Sequence, residues 1–185
     1  MILQQLGEVD KTDSTVIASM KTQLTNLAAS LRTLSHRMNQ AMLEQLTLSE
    51  TLDTLRHDFA GISDARIDFF MDPVCRQVRG EITGQLFFIL LELLTNAMKY
   101  APGSAIEISF SAEFDHLYLI CRDHGPGFER DLNQEKGMGL SNIRAKASIL
   151  GGKAHLETSV GKGTVWTISI PCKFADHDPE KNENG

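Results

Sequence analysis

Between Leu91 and Ile143 three blocks follow one another in order: Leu91-Glu92-Leu93-Leu94-Thr95-Asn96-Ala97, Asp123-His124-Gly125-Pro126-Gly127-Phe128, and Gly137-Met138-Gly139-Leu140-Ser141-Asn142-Ile143. The first sets a polar pair into an apolar helical run. The second puts glycines where a strand ends, and the third puts them where a helix begins. Each block meets a different need of one ligand, a magnesium-bound nucleotide, so a fold that satisfies all three gathers them round one site.

On the helix predicted over Glu81 to Tyr100, the four-residue step from Glu92 to Asn96 places both polar side chains on one face, while Leu93, Leu94 and Ala97 can face a core. A carboxylate beside an amide makes a hard oxygen site. Magnesium favours such oxygens and takes only one or two protein ligands beside substrate phosphates. Asn96 is the candidate metal ligand. Glu92 is the candidate catalytic residue, either orienting a water or accepting a proton from the attacking nucleophile. Lys99, one turn beyond Asn96, either reaches the same phosphates or is a solvated lysine at a helix end. Taken alone, this helix is equally a helix with one wet face.

Asp123 ends a predicted strand, and Gly125-Pro126-Gly127 follows at once, where glycine permits close backbone approach and positive φ. A carboxylate there can accept a hydrogen bond from the exocyclic amine of adenine. A lone Asp-x-Gly-x-Gly is also an ordinary strand-to-loop turn. Gly137-x-Gly139-Leu140 opens a helix whose amides can hold phosphate oxygens. The polar stretch from Glu129 to Lys136 suits a short lid, with Lys136 either reaching a phosphate or solvated. Gly161-Lys162-Gly163-Thr164 reads as a hairpin turn into the last strand, placing Thr164 beside Asp123 or simply forming the strand.

Around these blocks the chain changes character near Gly61. Ahead of it, Ile17, Met20, Leu24, Leu27, Leu31, Leu34 and Met38 recur at spacings of three and four, a heptad pattern. A second helix runs through Leu48, Leu52, Leu55 and Phe59, after a break near Asn39 to Glu44. Two such stripes are buried either in a homodimeric bundle or against the chain's own C-terminal part. Past Gly61, strands are predicted at Arg66–Phe70, Ala105–Phe110, Leu117–Arg122, Lys153–Thr158 and Thr164–Ile170, with a further helix at Met138–Ile149 stopped by Gly151-Gly152. The fold class is α+β: a two-layer α/β sandwich preceded by a helical dimerisation segment. The domains expected are 1–62 helical, 63–173 nucleotide-binding, and 174–185 a charged tail without apolar anchors.

Composition narrows the partners. A net charge of -6 and a pI near 5.5 over 185 residues argue against a nucleic-acid or membrane-surface footprint. The three cysteines are too scattered for a disulfide framework or a zinc site and read as reduced thiols, which with the lack of a membrane-length apolar run points to a cytoplasmic protein.

The order Glu92…Asn96, Asp123-x-Gly125-x-Gly127, Gly137-x-Gly139-Leu140 and Gly161-x-Gly163-Thr164 resembles the N box, glycine boxes and final threonine of the Bergerat-type ATPase fold. That fold is shared by histidine kinases, a major heat-shock chaperone, MutL and type II topoisomerases. The resemblance covers roughly residues 64 to 172 and is closest to sensor histidine kinases of the nitrate-sensor type. Arg32-Thr33-Leu34-Ser35-His36-Arg37-Met38 with Leu43-Glu44-Gln45-Leu46-Thr47-Leu48 resembles the second helix of their dimerisation and phosphotransfer domain. The short lid is similar too. The resemblance implies ATP and magnesium as cofactors, a homodimer through the N-terminal helices, phosphorylation of a histidine, and transfer to an aspartate on a response-regulator receiver domain.

One departure stands beside it. In that group the accepting histidine lies on the first helix before an acidic residue, and the chain before Thr12 has no histidine. His36 sits off the apolar seam but is followed by Arg37. His57 has an acidic neighbour, Asp58, but the helix stops at Gly61. Both read as ordinary helix histidines, and His124 as lining the edge of the site. A non-catalytic ATP-binding or phosphotransfer scaffold, and an anti-sigma-factor-like serine kinase of the same fold, are the alternatives. Phosphohistidine is acid-labile and phosphoserine is not.

Overall fold

Period-two burial along five stretches builds one sheet. The computed structural model describes residues 16, 40–60, 65–129 and 138–174. The heptad from Ile17 to Met38, most of the expected lid and the charged tail lie outside them. The strands are β1 (Ile67–Met71), β2 (Ile106–Glu113), β3 (His116–Asp123), β4 (Lys153–Thr158) and β5 (Thr164–Pro171), in spatial order β1-β2-β3-β5-β4. The β1–β2 pair is parallel and the others are antiparallel. Four strands run past an expected end: β1 reaches Met71 and β5 reaches Pro171, one residue each, while β2 continues to Glu113 and β3 begins at His116 because the hairpin that joins them is tight.

Register carries the alternation of each strand across to its neighbour. Ile108 pairs with Cys121, and Cys121 with Trp166. Phe110 pairs with Leu119, and Leu119 with Ile168. All six are buried, so these rows form one apolar face. A one-residue slip would turn every one of them to the other side.

The helices are α1 (Gln40–Leu43), α2 (Leu48–Phe59), α3 (Glu81–Tyr100) and α4 (Met138–Ile149), with a short 3₁₀ turn at Pro73–Gln77 that periodicity did not reveal. Helix α3 is apolar on almost every side, as a helix between a sheet and other helices must be. Helix α4 packs beside it and on β4 and β5. The result is the two-layer sandwich.

Helix α2 belongs to the same compact unit as the sheet. Its stripe of Leu48, Leu52, Leu55 and Phe59 is buried in the common core rather than left for a bundle partner. Backbone bonds fasten the segment: Leu48 N–H donates to Val78 O at 2.8 Å and Gly80 N–H to Glu44 O at 3.0 Å. The Arg56 guanidinium also lies over the Phe69 ring, 5.1 Å from its centre. The expected boundary at residue 62 therefore does not separate α2 from the sheet. The break predicted near Asn39 to Glu44 falls just after Leu43, where Gln45 and Leu46 N–H close turns onto Met42 and Leu43 carbonyls.

Thr47 caps α2 in a reciprocal box. Glu50 N–H donates to Thr47 Oγ1 at 3.2 Å, and Thr47 N–H donates to Glu50 Oε2 at 2.8 Å. The bond from the Thr47 backbone, helped by its hydroxyl, holds the Glu50 carboxyl below its ordinary range. A depressed folded-state value means stabilisation present above the unfolded value and lost as pH falls through the folded one. Chemical denaturation should therefore show Glu50→Gln less stable than wild type at neutral pH, with the difference vanishing in acid. Leu55→Ala should remove about 2–5 kcal/mol by the same assay.

Candidate functional site

The apolar environment of α3 decides where its polar side chains can go. Leu93, Leu94, Ala97 and Met98 are buried, which turns Glu92 and Asn96 toward the half-exposed strip on which α4 begins. A cleft of about 410 Å³ opens there, between α3, the ends of β3 and β5, and the start of α4. Asn96, Asp123, Gly127, Gly139, Leu140 and Thr164, all predicted from sequence, line it.

Gly139 explains how the first and third blocks meet. A Cβ placed on it would collide with Glu92 Oε1 and would sit 3.2 Å from Asn96 Nδ2. The first turn of α4 therefore lies directly against those two side chains, and a Cβ there would require the end of the Glu92 side chain to shift. Glu92 does not itself line the cleft; it stands behind this contact.

Asp123 and Thr164 are register partners at the end of the β3–β5 ladder. Gly125 N–H donates to Asp123 Oδ1 at 3.0 Å and orients the carboxylate. The loop after Asp123 is tied down on both sides. His124 N–H bonds Ala105 O at 3.1 Å and Gly161 N–H bonds Pro126 O at 2.6 Å. Thr158 Oγ1 accepts from Phe128 N–H at 3.2 Å and donates to Gly163 O at 3.0 Å. Gly127 has φ +59°, and a Cβ there would strike the Ser159 carbonyl. The Gly161–Thr164 hairpin turn is thus the outer clamp on the second block.

Some expected residues lie elsewhere. Lys99 does not line the cleft; its ammonium sits 4.8 Å from the centre of the Tyr100 ring, and it is Tyr100 that reaches the cleft wall. His124 faces outward, with Nε2 3.0 Å from Glu107 Oε1. His57 is exposed in the last turn of α2. His36, Lys136 and Gly137 lie outside the described residues.

Cys121, Trp166, Tyr100 and Phe128 also line the cleft and carried no sequence signal. On a strand or apolar helix such residues read as core, and register alone shows that Cys121 and Trp166 fall under the Asp123–Thr164 pair. Burial, then the Asp123 charge, pushes the Cys121 thiol up to about 12. Burial, with Asp72 and Cys172 nearby, lifts Cys75 to about 11, and burial raises Cys172. All three are free and buried. Thiols stay protonated below such values, so iodoacetamide at neutral pH should label the native chain slowly and the unfolded chain at three sites. Gly127→Ala, which adds both a clash and a left-handed Cβ, should lower the thermal midpoint by an amount worth about 1–3 kcal/mol.

Residues 81–173 match the family model described as histidine kinase-, DNA gyrase B-, and HSP90-like ATPase. The oxygen sensor histidine kinase NreB of Staphylococcus carnosus is 23% identical over 149 residues, covering 80% of this chain and 43% of that protein. The sensor histidine kinase LiaS of Bacillus subtilis is 28% identical over 154 residues, covering 83% and 41%. The chain therefore spans less than half the length of these relatives. Among solved structures, the Acinetobacter baumannii histidine kinase AdeS superposes with a TM-score of 0.59 at 21% identity, over 77% of this chain and 75% of that one, a likeness of fold. Among the described residues no helix is long and apolar enough to cross a membrane. The chain belongs to the histidine kinase-, DNA gyrase B- and HSP90-like ATPase family.

Proposed function

We propose that this chain is the ATP-binding catalytic part of a two-component sensor histidine kinase, phosphorylating a histidine for transfer to a response-regulator aspartate. The observation that carries the reading is the meeting of Gly139 with Glu92 and Asn96 at one end of a cleft whose other end holds Asp123 and Thr164.

Asp123, oriented through Oδ1 by the Gly125 amide, accepts from the exocyclic amine of adenine, and Thr164 lies beside it in register. The first amides of α4 take phosphate oxygens at a helix N-terminus, where Gly139 lets the backbone come close. Asn96 would hold magnesium through its side-chain oxygen. The donor set suits that ion, because one protein oxygen beside phosphate oxygens and water is its usual arrangement. When bound, magnesium offsets the negative charge of the phosphates. Glu92 stands one helical turn before Asn96, where its carboxylate orients a water or takes the proton of the attacking group. Little covalent chemistry is asked of the protein; positioning and charge compensation do most of the work in phosphoryl transfer. Homodimerisation through the N-terminal helices and docking of a receiver domain complete the proposed cycle.

The test is incubation with γ-labelled ATP and magnesium, alone and with an acceptor-bearing dimerisation domain of a nitrate-sensor-type kinase. Magnesium-dependent nucleotide binding with acid-labile, base-stable label supports the reading; acid-stable label overturns it in favour of a serine kinase. In calorimetry, Asn96→Ala should weaken magnesium-dependent ATP binding by about tenfold or more, the size of a lost charge-assisted contact. Asp123→Asn should erase the preference for ATP over GTP. An unchanged Asn96→Ala affinity would show that the metal lies elsewhere.

A further inference from the structure

The cleft continues below the Asp123–Thr164 rung. Side chains two residues apart on a strand share a face, so Cys121 lies beneath Asp123 and Trp166 beneath Thr164, in a second rung paired by register. Both rungs line the same cleft, which therefore runs about 7 Å further along the strands than the carboxylate that meets adenine. From the helix side Leu93 and Ala97, one turn apart on α3, line it too. These four floor residues are nearly closed to solvent, at 3% for Leu93, 5% for Ala97, and 4% each for Cys121 and Trp166.

Two of the four are small. Ala97 ends at its β carbon and Cys121 one atom beyond, so each fills less space than a leucine or isoleucine would at the same position. The Cys121 thiol stays neutral because burial and the Asp123 charge oppose its ionisation. An apolar group entering this floor would find aliphatic, thiol and indole surface, whereas a charged one would lose its hydration.

We propose that Cys121 and Ala97 leave an apolar back pocket beneath the purine, that it takes an alkyl or aryl substituent on the exocyclic amine, and that Cys121 sets its size. Asp123 needs only one of the two hydrogens on that amine, so a substituent in place of the other is compatible with the same hydrogen bond. The inference rests on the nucleotide reading above and adds to it a specificity-determining residue. Cys121 acts on which purine is accepted, not on the transfer step.

The experiment is calorimetry on the full chain with ATP and with N6-benzyl-ATP, reading the ratio of the two dissociation constants. A wild-type ratio within about tenfold is expected. Cys121→Leu should worsen the ratio by about tenfold or more, since a methylene-sized change in an apolar pocket is worth 10–200-fold. Cys121→Ala should shift it the other way. A general loss of structure would weaken both nucleotides together and leave the ratio alone. Should Cys121→Leu fail to fold, the direction of the Cys121→Ala shift decides. Wild-type protein that binds ATP but excludes N6-benzyl-ATP overturns the back pocket and leaves the nucleotide reading standing, and an unmoved ratio in both variants removes Cys121 as the determinant. Failure to bind ATP at all overturns the nucleotide reading, and this inference with it.

Discussion

Helix α3 is enclosed by the sheet, by α2 and by α4, and that enclosure constrains everything round it. Thirteen of its twenty residues are buried, from Thr83 near its start to Met98 near its end. Away from its ends, a helix so placed has one strip on which polar side chains avoid full desolvation, and Glu92 and Asn96 occupy it. The same enclosure stiffens the strip. Each fully buried Leu or Phe along α3 contributes roughly 1.5–3 kcal/mol of burial, so the backbone carrying the two polar side chains is held by many contacts they do not share. Preorganisation of this kind suits a site whose work is positioning.

Close backbone approach is the second determinant. Without a Cβ at Gly139 the start of α4 reaches the Glu92 and Asn96 side chains, and the left-handed Gly127 lets the loop after β3 pass under Ser159. The two glycines solve different problems. At Gly139 the backbone is helical and the difficulty is space; at Gly127 both the φ angle and the space exclude other residues. The hairpin turn at Gly161–Thr164 then closes over the second block through Thr158 and Pro126. The loop after β3 and the hairpin turn, distant in sequence, are thereby linked by hydrogen bonds that do not depend on a ligand.

At the far end of α3 the coupling runs the other way. The first turn of α3 meets the end of α1 through Thr83, whose hydroxyl lies 3.5 Å from Leu43 O, and meets the residue after it through Gly84, which lies against the Glu44 side chain, while α2 packs directly on α3. Helix α2 therefore rests on the same element that carries the candidate catalytic and metal-binding residues. Its amphipathic stripe is compatible with a bundle or with a core, and competition between the two is settled by what lies next to it. Here the 3₁₀ turn at Pro73–Gln77 and the start of α3 supply an apolar surface of matching extent.

Local chemistry is what the sequence could report. Glycine spacing, the four-residue step from Glu92 to Asn96, and the alternation of β2, β3 and β5 are written in neighbouring residues, so the longer helices, the strands, the two-layer class and the polar and glycine part of the cleft lining were legible without coordinates. The extra residues of β2 and β3, the burial of α2, the withdrawal of Lys99 against Tyr100, and the floor of Cys121 and Trp166 were not. Each depends on a partner far along the chain: a facing strand, a packed helix, a ring beside an ammonium, a register. Cys121 is the sharpest case, since an apolar residue on the inward face of a strand has one local environment whether it fills a core or bounds a cavity. Only tertiary packing decides which, because the space above it is defined by α3, some twenty-five residues earlier in the chain.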